Sequence, residues 1–197
     1  MRKLTVDDIV EMRAYERERD GLRRHIIDLK RIRRVALGPI MTMVFENTVT
    51  MRWQVQEMAR VERMLRDEQI AHEVETYNQL IPDPGELSAT LMIELTSEPA
   101  LREWLPRLVG IQQHIAVVLP DGTSVPGALS EEDELRLTRD DITAAVHFLK
   151  FRFTDADIEM FASGPVHIVV DHPEYDQDVL LTPDQHSELL TDLQDRS

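Results

Sequence analysis

Histidine and carboxylate side chains are the first candidates for chemistry in this sequence, because its 197 residues include no cysteine. The missing thiols exclude disulfides, a thiol nucleophile, cysteine-based zinc sites and thiolate-held iron–sulfur clusters. A metal ion would need imidazole, carboxylate or carbonyl ligands. His147 and His167 each fall on a predicted strand, and neighbouring strands could bring two imidazoles together. No pair of histidines has ligand spacing within one element, so histidines that bond to a carbonyl or carboxylate are the competing interpretation.

Polar side chains also surround a predicted turn between a helix and a strand. Tyr77 and Asn78 precede the turn at residues 82–85, and Glu86 follows it. Such a junction can bring donors and acceptors together in one concavity, or can simply satisfy the helix end with hydrogen bonds. A buried glutamate with a raised pKa would be a candidate acid or base, whereas most acids solvate the surface. The candidate polar pocket comprises Glu46, Gln54, Glu57, Tyr77, Asn78 and Glu86.

The motifs of several large enzyme classes are incomplete in this sequence. The seven glycines are scattered, which excludes a G-x-G-x-x-G dinucleotide loop. Gly122 and Gly127 have phosphate-loop spacing, but the lysine that would contact the phosphates is missing. His72 and Glu73 begin an H-E-x-x-H zinc pattern in which Thr76 replaces the second histidine. These failures favour a protein that acts without a standard catalytic motif.

Charge is unevenly distributed along the chain, whose net charge is −15. Up to Arg66, 15 basic and 10 acidic residues give +5, and the remaining 7 basic and 27 acidic residues give −20. An acidic body repels phosphate backbones, which disfavours nucleic-acid binding. One basic cluster has two interpretations. It is a patch that binds nucleic acid or another anion, or it is a helix face that is solvated or packed against the acidic rest of the protein. It comprises Arg23, Arg24, Lys30, Arg31, Arg33 and Arg34.

Helical spacing dominates the first part of the chain. Thr5, followed by two aspartates, predicts the start of a helix that runs to Ile32 and that Gly21 could bend. Alternating side chains predict an extended segment over Val35–Phe45, with a turn at Gly38. Apolar stripes predict two further helices, one with Met51, Val55, Met58 and Leu65 and the next with Ile70, Val74, Tyr77 and Ile81.

Strands dominate the second part. Apolar and polar residues alternate over Leu87–Leu95, which predicts a strand with one buried face. The acidic stretch Ser130–Asp141 predicts a loop with a helical turn. We expect further strands at His114–Leu119, Ala145–Phe153 and Val166–Val170, and helices that begin after Ser97, Thr154 and Thr182.

This order of elements has no regular βαβ alternation. It predicts an α+β fold in which helices pack on a mainly antiparallel sheet, with a helix-rich N-terminal part. One domain over residues 1–197 is the economical interpretation. The N-terminus lacks the apolar region of a signal peptide, and no stretch approaches the roughly 20 apolar residues of a membrane helix. We therefore expect a cytoplasmic protein without a membrane association.

Seven short blocks follow one another along most of the chain: Arg33–Gly38, Phe45–Asn47, Gln54–Met58, Tyr77–Pro82, Leu87–Leu91, Ala145–Leu149 and Asp171–Tyr175. Taken together, they resemble a bacterial family known as domain of unknown function 3501. The resemblance implies no activity, cofactor or catalytic residue, because none is assigned to that family. Genes of the family often lie beside those of rubrerythrin-like proteins and iron–sulfur oxidoreductases, so the resemblance implies an accessory role in peroxide or iron handling.

Three hypotheses about function follow. The leading one is a non-catalytic accessory or interaction protein linked to redox or peroxide stress and iron handling, with rubrerythrin-like or iron–sulfur proteins as partners. The alternative is a small metal-dependent or carboxylate-based enzyme that uses the strand histidines and the glutamates. Nucleic-acid binding through the basic cluster is the third. The sequence assigns no cofactor, and it leaves a homo-oligomer open.

Overall fold

A computed structural model describes residues 1–129 and 142–195. The predicted loop over Ser130–Asp141 lies outside these described residues. The helices are α1 Met12–Ile32, α2 Thr48–Val61, α3 Asp67–Asn78, α4 Glu98–Arg107, α5 Asp155–Ser163 and α6 Pro183–Gln194. The strands are β1 Arg34–Ala36, β2 Met41–Glu46, β3 Glu86–Ile93, β4 Ile115–Val118, β5 Ser124–Ala128, β6 Val146–Arg152, β7 His167–His172 and β8 Tyr175–Leu180.

The eight strands form one sheet in the order β1-β2-β3-β6-β5-β4-β7-β8, and every neighbouring pair is antiparallel. The sheet curls until its two ends approach each other, so that it is nearly barrel-shaped. The Tyr175 hydroxyl at the start of β8 donates a hydrogen bond to the Leu37 carbonyl, beside the β1–β2 turn. The predicted α+β class with a mainly antiparallel sheet is confirmed.

The inner face of the curled sheet holds the larger hydrophobic core. Leu87, Ala89, Leu91 and Ile93 of β3 are all buried there, as the strict alternation of this strand predicts. Helix α6 contributes Leu189 and Leu193 to the same cluster.

A second, smaller core lies on the outer face, under α2 and α3. It contains Met51 and Val55 of α2, Val74 of α3 and Ile81, together with Leu4 from the N-terminal segment. The helix-rich N-terminal part therefore packs outside the sheet, and the space between these helices and the strands is where the candidate site lies.

Some local features differ from the prediction. Thr5 and Asp8 cap only a short 3₁₀ turn over Val6–Asp8, and α1 begins later, at Met12. From there α1 runs through Gly21 to Ile32, where the predicted helix also ends. Strands β5 and β8 have no counterpart in the prediction, because β5 contains proline and glycine and β8 carries two aspartates, which are rare in strands.

Within the described ranges, no helix combines the length and the apolar character that crossing a membrane requires.

Candidate functional site

Three of the predicted pocket residues line one cavity on the outer face of the sheet. Glu46 at the end of β2, Gln54 on α2 and Tyr77 on α3 border a space of about 280 Å³, which we call the outer cavity. Glu57, Asn78 and Glu86 do not line it. The fold thus brings together half of the candidate pocket and places the other half elsewhere.

The outward-facing side chains of the sheet form the floor of the outer cavity. Side chains alternate between the two faces of a strand, so Val44 and Thr90 face outward while their neighbours fill the inner core. Val44 pairs with Thr90, and Thr90 pairs with Phe148, which sets these three residues in one row across the sheet. Met92 and Val146 form the next pair of the floor.

The roof is formed by α2 and α3. Helix α2 begins directly after Glu46, because the Asn47 side chain accepts a hydrogen bond from the Thr50 amide at 3.0 Å and so caps the helix. Met51 and Gln54 of α2 then face the floor, as does Leu80 after the end of α3. The cap fixes where α2 starts relative to Glu46.

Glu46 is the most unusual group of the outer cavity. It is 5% exposed, and its Oε1 accepts a hydrogen bond from the Thr90 hydroxyl at 2.9 Å. Its Oε2 is buried and accepts no hydrogen bond from any described residue. Arg33 fixes the backbone beside it, with Nη2 donating to the Glu46 carbonyl at 3.1 Å. The main chain is therefore held in place, while one carboxylate oxygen has no hydrogen-bond donor among the described residues.

Two basic side chains, Lys30 and Arg34, complete the lining at the β1 edge. Lys30 is half-buried and forms no ion pair with any described residue. Arg34 is exposed and contacts Glu94, with 3.2 Å between Nη1 and Oε1. The outer cavity thus contains a buried acid and two bases that do not pair with it.

Glu57 lies on another face of α2 and is part of an ion-pair cluster with α1. Its carboxylate accepts hydrogen bonds from Tyr15 at 2.6 Å, from Arg19 at 2.8 Å and from Arg60 at 3.1 Å. The hydrogen bonds from Arg19 lower the pKa of Glu57 to about 2, against the opposing effect of burial. Glu57 is therefore a saturated anion that joins two helices.

Asn78 and Glu86 also have contacts of their own. The Asn78 amide exchanges two hydrogen bonds with the Leu4 backbone, at 2.8 and 2.9 Å, and so fastens the N-terminal segment to α3. Burial would raise the pKa of Glu86, but a hydrogen bond from Arg152 at 2.8 Å and the charge of Lys150 hold it below its usual value. Asn78 therefore joins α3 to the N-terminal segment, and Glu86 joins β3 to β6.

The two predicted metal ligands lie on opposite faces of the sheet. His147 of β6 is buried on the inner face, 3.0 Å from the Thr143 hydroxyl. His167 of β7 is half-buried on the outer face and contacts Asp178 on β8. Across residues 1–129 and 142–195, no group of three or more His, Asp or Glu could hold a metal ion. The proposed metal role of these two histidines stays a prediction.

The sequence did not assign Lys30, Arg34, Met92 or Phe148 to the site. The signal that could have found the floor is the alternation of side chains along strands, since Thr90, Met92 and Phe148 all lie opposite the buried apolar side of predicted strands. For Lys30 and Arg34 no local signal exists, because Lys30 depends on the packing of α1 and Arg34 on the pairing of β1 with β2.

Comparisons with known proteins bear on the family. The model of the family described as protein of unknown function (DUF3501) matches residues 3–193. A crystal structure of a novel protein of unknown function from Burkholderia pseudomallei K96243 is 34% identical, with a TM-score of 0.89, and the match covers 98% of this chain and 100% of that one. No curated protein matches the chain.

Neither description assigns an activity. Because the family model spans nearly the whole sequence and the solved relative shares its fold, the resemblance seen in the sequence blocks is confirmed, and the chain belongs to the DUF3501 family.

Proposed function

We propose that this protein is a non-catalytic binding protein that holds a small organic molecule in the outer cavity, with Glu46 as its main polar contact. The buried Glu46 Oε2, which accepts no hydrogen bond from the described residues, is the observation that carries the proposal. Leaving a buried acceptor unsatisfied costs about 1–3 kcal/mol, and more when it is charged. A ligand N–H group at this oxygen would remove that cost.

The remaining lining is that of a small-molecule site. Such sites are mostly apolar, with a few polar groups that fix the orientation of the ligand. Here Val44, Met51 and Phe148 supply apolar surface, while Gln54 and Tyr77 supply amide and hydroxyl groups.

A carboxylate-based enzyme is less well supported by the same geometry. A catalytic base is recognised by a nucleophile or an orienting group within hydrogen-bond reach. Among the described residues, the hydrogen-bond partner of the Glu46 carboxylate is Thr90, whose hydroxyl does not titrate in the physiological range. A metal-dependent enzyme built on His147 and His167 has no support from their positions on opposite faces.

A fragment screen by NMR tests the proposal. The probes are a library of small amines, amides and amino acids, applied to the wild type, to Glu46→Gln and to Val146→Trp, which fills the cavity but keeps Glu46. We expect compounds with N–H donors to shift the amide signals of Gln54 and Thr90 in the wild type and to lose this effect in both variants. Glu68→Gln, an exposed change of the same charge on α3, is the matched control.

If no member of the library shifts these signals, or if the shifts persist in Val146→Trp, the proposed function is wrong. The Val146→Trp variant keeps the test valid even if Glu46→Gln folds poorly, because Val146 is exposed at the edge of the cavity.

The link to redox or peroxide stress and iron handling, with rubrerythrin-like or iron–sulfur partners, rests on the family resemblance. As a proposal it is tested by size-exclusion chromatography of this protein with each partner. Joint elution and a changed partner activity would support the link. Separate elution with unchanged activity would remove it and would leave the binding proposal intact.

A further inference from the structure

The two ends of the outer cavity differ in chemistry. Arg34, Val44, Thr90 and Phe148 form one row across β1, β2, β3 and β6, which spans about 14 Å at the usual strand spacing. The charged groups lie at the β1–β2 end of this row. Met92 and Phe148, with Val146 beside them, make the β3–β6 end apolar.

At the charged end, Glu46 and Lys30 line the same space without forming an ion pair, whereas Arg34 is paired with Glu94. Glu46 is two residues along β2 from Val44, which is the partner of Arg34, so the Cα atoms of Glu46 and Arg34 are about 8 Å apart. No described ion pair includes Glu46 or Lys30. A negative and a positive side chain that line one cavity without pairing can each bind the opposite charge of a ligand. Such a ligand carries an ammonium group and a carboxylate close together.

We propose that the outer cavity binds a zwitterionic α-amino acid with an apolar or aromatic side chain, an inference that rests on the proposed function. The ligand ammonium group donates to Glu46 Oε2, and the ligand carboxylate is attracted mainly to Lys30, because the charge of Arg34 is already offset by Glu94. The ligand side chain then extends over Met92 towards Phe148. An α-amino acid fits this arrangement because both charges sit at one end of an otherwise apolar molecule.

The size of the outer cavity is consistent with this class. A cavity of about 150 Å³ holds benzene, which has six non-hydrogen atoms. In proportion, the 280 Å³ of the outer cavity would hold roughly eleven non-hydrogen atoms. Leucine, methionine and phenylalanine are of this size.

Isothermal titration calorimetry with three matched probes tests the inference. Phenylalanine carries both charges, phenethylamine carries only the ammonium group, and 3-phenylpropionate carries only the carboxylate. In the wild type we expect phenylalanine to bind at least tenfold more tightly than either of the other two. Glu46→Gln should weaken phenylalanine and phenethylamine by tenfold or more.

The Lys30→Met variant separates the two ends of the ligand. It should weaken phenylalanine about tenfold and leave phenethylamine unchanged, because phenethylamine has no carboxylate for Lys30 to attract. Arg31→Met removes the same charge one position along α1, where the side chain is exposed and does not line the cavity, and it should change neither affinity.

The outcomes distinguish the inference from the proposed function. If phenethylamine binds as tightly as phenylalanine and still depends on Glu46, the amino-acid inference is overturned and the binding function stands. The same holds if neither phenylalanine nor any other amino acid binds while amines or amides of the fragment library occupy the cavity. If no compound of any kind occupies it, both are overturned.

Discussion

Two glutamates that the sequence made equally suitable for acid–base chemistry have opposite surroundings. Glu57 accepts hydrogen bonds from Tyr15, Arg19 and Arg60 and is saturated. The Glu46 carboxylate accepts one hydrogen bond, from Thr90, and keeps a buried oxygen without a partner in the described chain. The number of donors around each carboxylate therefore separates a structural anion from a candidate ligand contact.

The saturated state of Glu57 predicts a pH dependence of stability. Because its pKa is lowered from 4.5 to about 2 in the folded state, it stabilises the fold above pH 4.5 and loses that contribution as the pH falls towards 2. We expect Glu57→Gln to reduce the free energy of unfolding by about 1–3 kcal/mol at pH 7, and by much less near pH 2. Urea denaturation at a series of pH values measures both.

Glu75→Gln, an exposed change on α3, serves as the control and should alter stability little at either pH. A Glu57→Gln effect of the same size at pH 7 and pH 2 would contradict the assignment.

At the scale of the elements, two glycines lie in different settings. Gly21 lies inside α1, where an added Cβ would meet no atom within 4 Å. Gly38, in the β1–β2 turn, has φ of +75°, and a Cβ there would lie 2.5 Å from the Tyr175 hydroxyl oxygen. The sequence shows two turn-forming residues, but only one of them makes a turn, because α1 continues through Gly21.

These settings predict opposite effects of the same substitution. Gly21→Ala should stabilise the protein by about 0.5–1 kcal/mol, because alanine favours the helix and restricts the unfolded chain. Gly38→Ala should destabilise it by more than about 1 kcal/mol, since the side chain would be strained and would displace Tyr175. Thermal denaturation of both variants beside the wild type provides the comparison. If both substitutions stabilise the protein, or both destabilise it, the opposite roles assigned to Gly21 and Gly38 are wrong.

Elements with local signals are the ones that the sequence predicts well. Thr154 and Thr182 begin α5 and α6 with capping boxes that the sequence displays within four residues. The alternation of β3 is equally local. Strands β5 and β8 lack such a signal, and their strand geometry comes from pairing with β4, β6 and β7. Non-local pairing can impose a strand on a sequence with low strand propensity.

At the scale of the molecule, Arg33 joins parts that are far apart in the chain. It is buried at the end of α1, donates to the Phe45 carbonyl at 2.8 Å, and pairs with Glu188 and Asp192 of α6. Burial raises the pKa of Asp192 despite the adjacent guanidinium group. One member of the basic cluster is therefore docked on the acidic remainder of the fold, as one interpretation of the sequence expected.

Removing the positive charge of Arg33 should lower the stability of the protein. We expect Arg33→Met to lower the free energy of unfolding by about 3–5 kcal/mol, because two carboxylates would lose their buried partner. Urea denaturation at pH 7 gives the value. Arg31→Met, which removes an exposed charge nearby, should change it by less than about 0.5 kcal/mol. A loss below about 1 kcal/mol for Arg33→Met would show that this cluster does not hold α6 in place.

The sequence by itself determined the fold class, the family, the capped helices, the clean strand and the residue types from which a site could be built. These follow from interactions within a few residues, or from patterns along the whole chain. Only the tertiary structure decided that Glu46, Gln54 and Tyr77 meet Lys30 and Phe148, whereas Glu57, His147 and His167 have other contacts. Strand register and helix packing determine which side chains come together, and both depend on partners dozens of residues away in the chain.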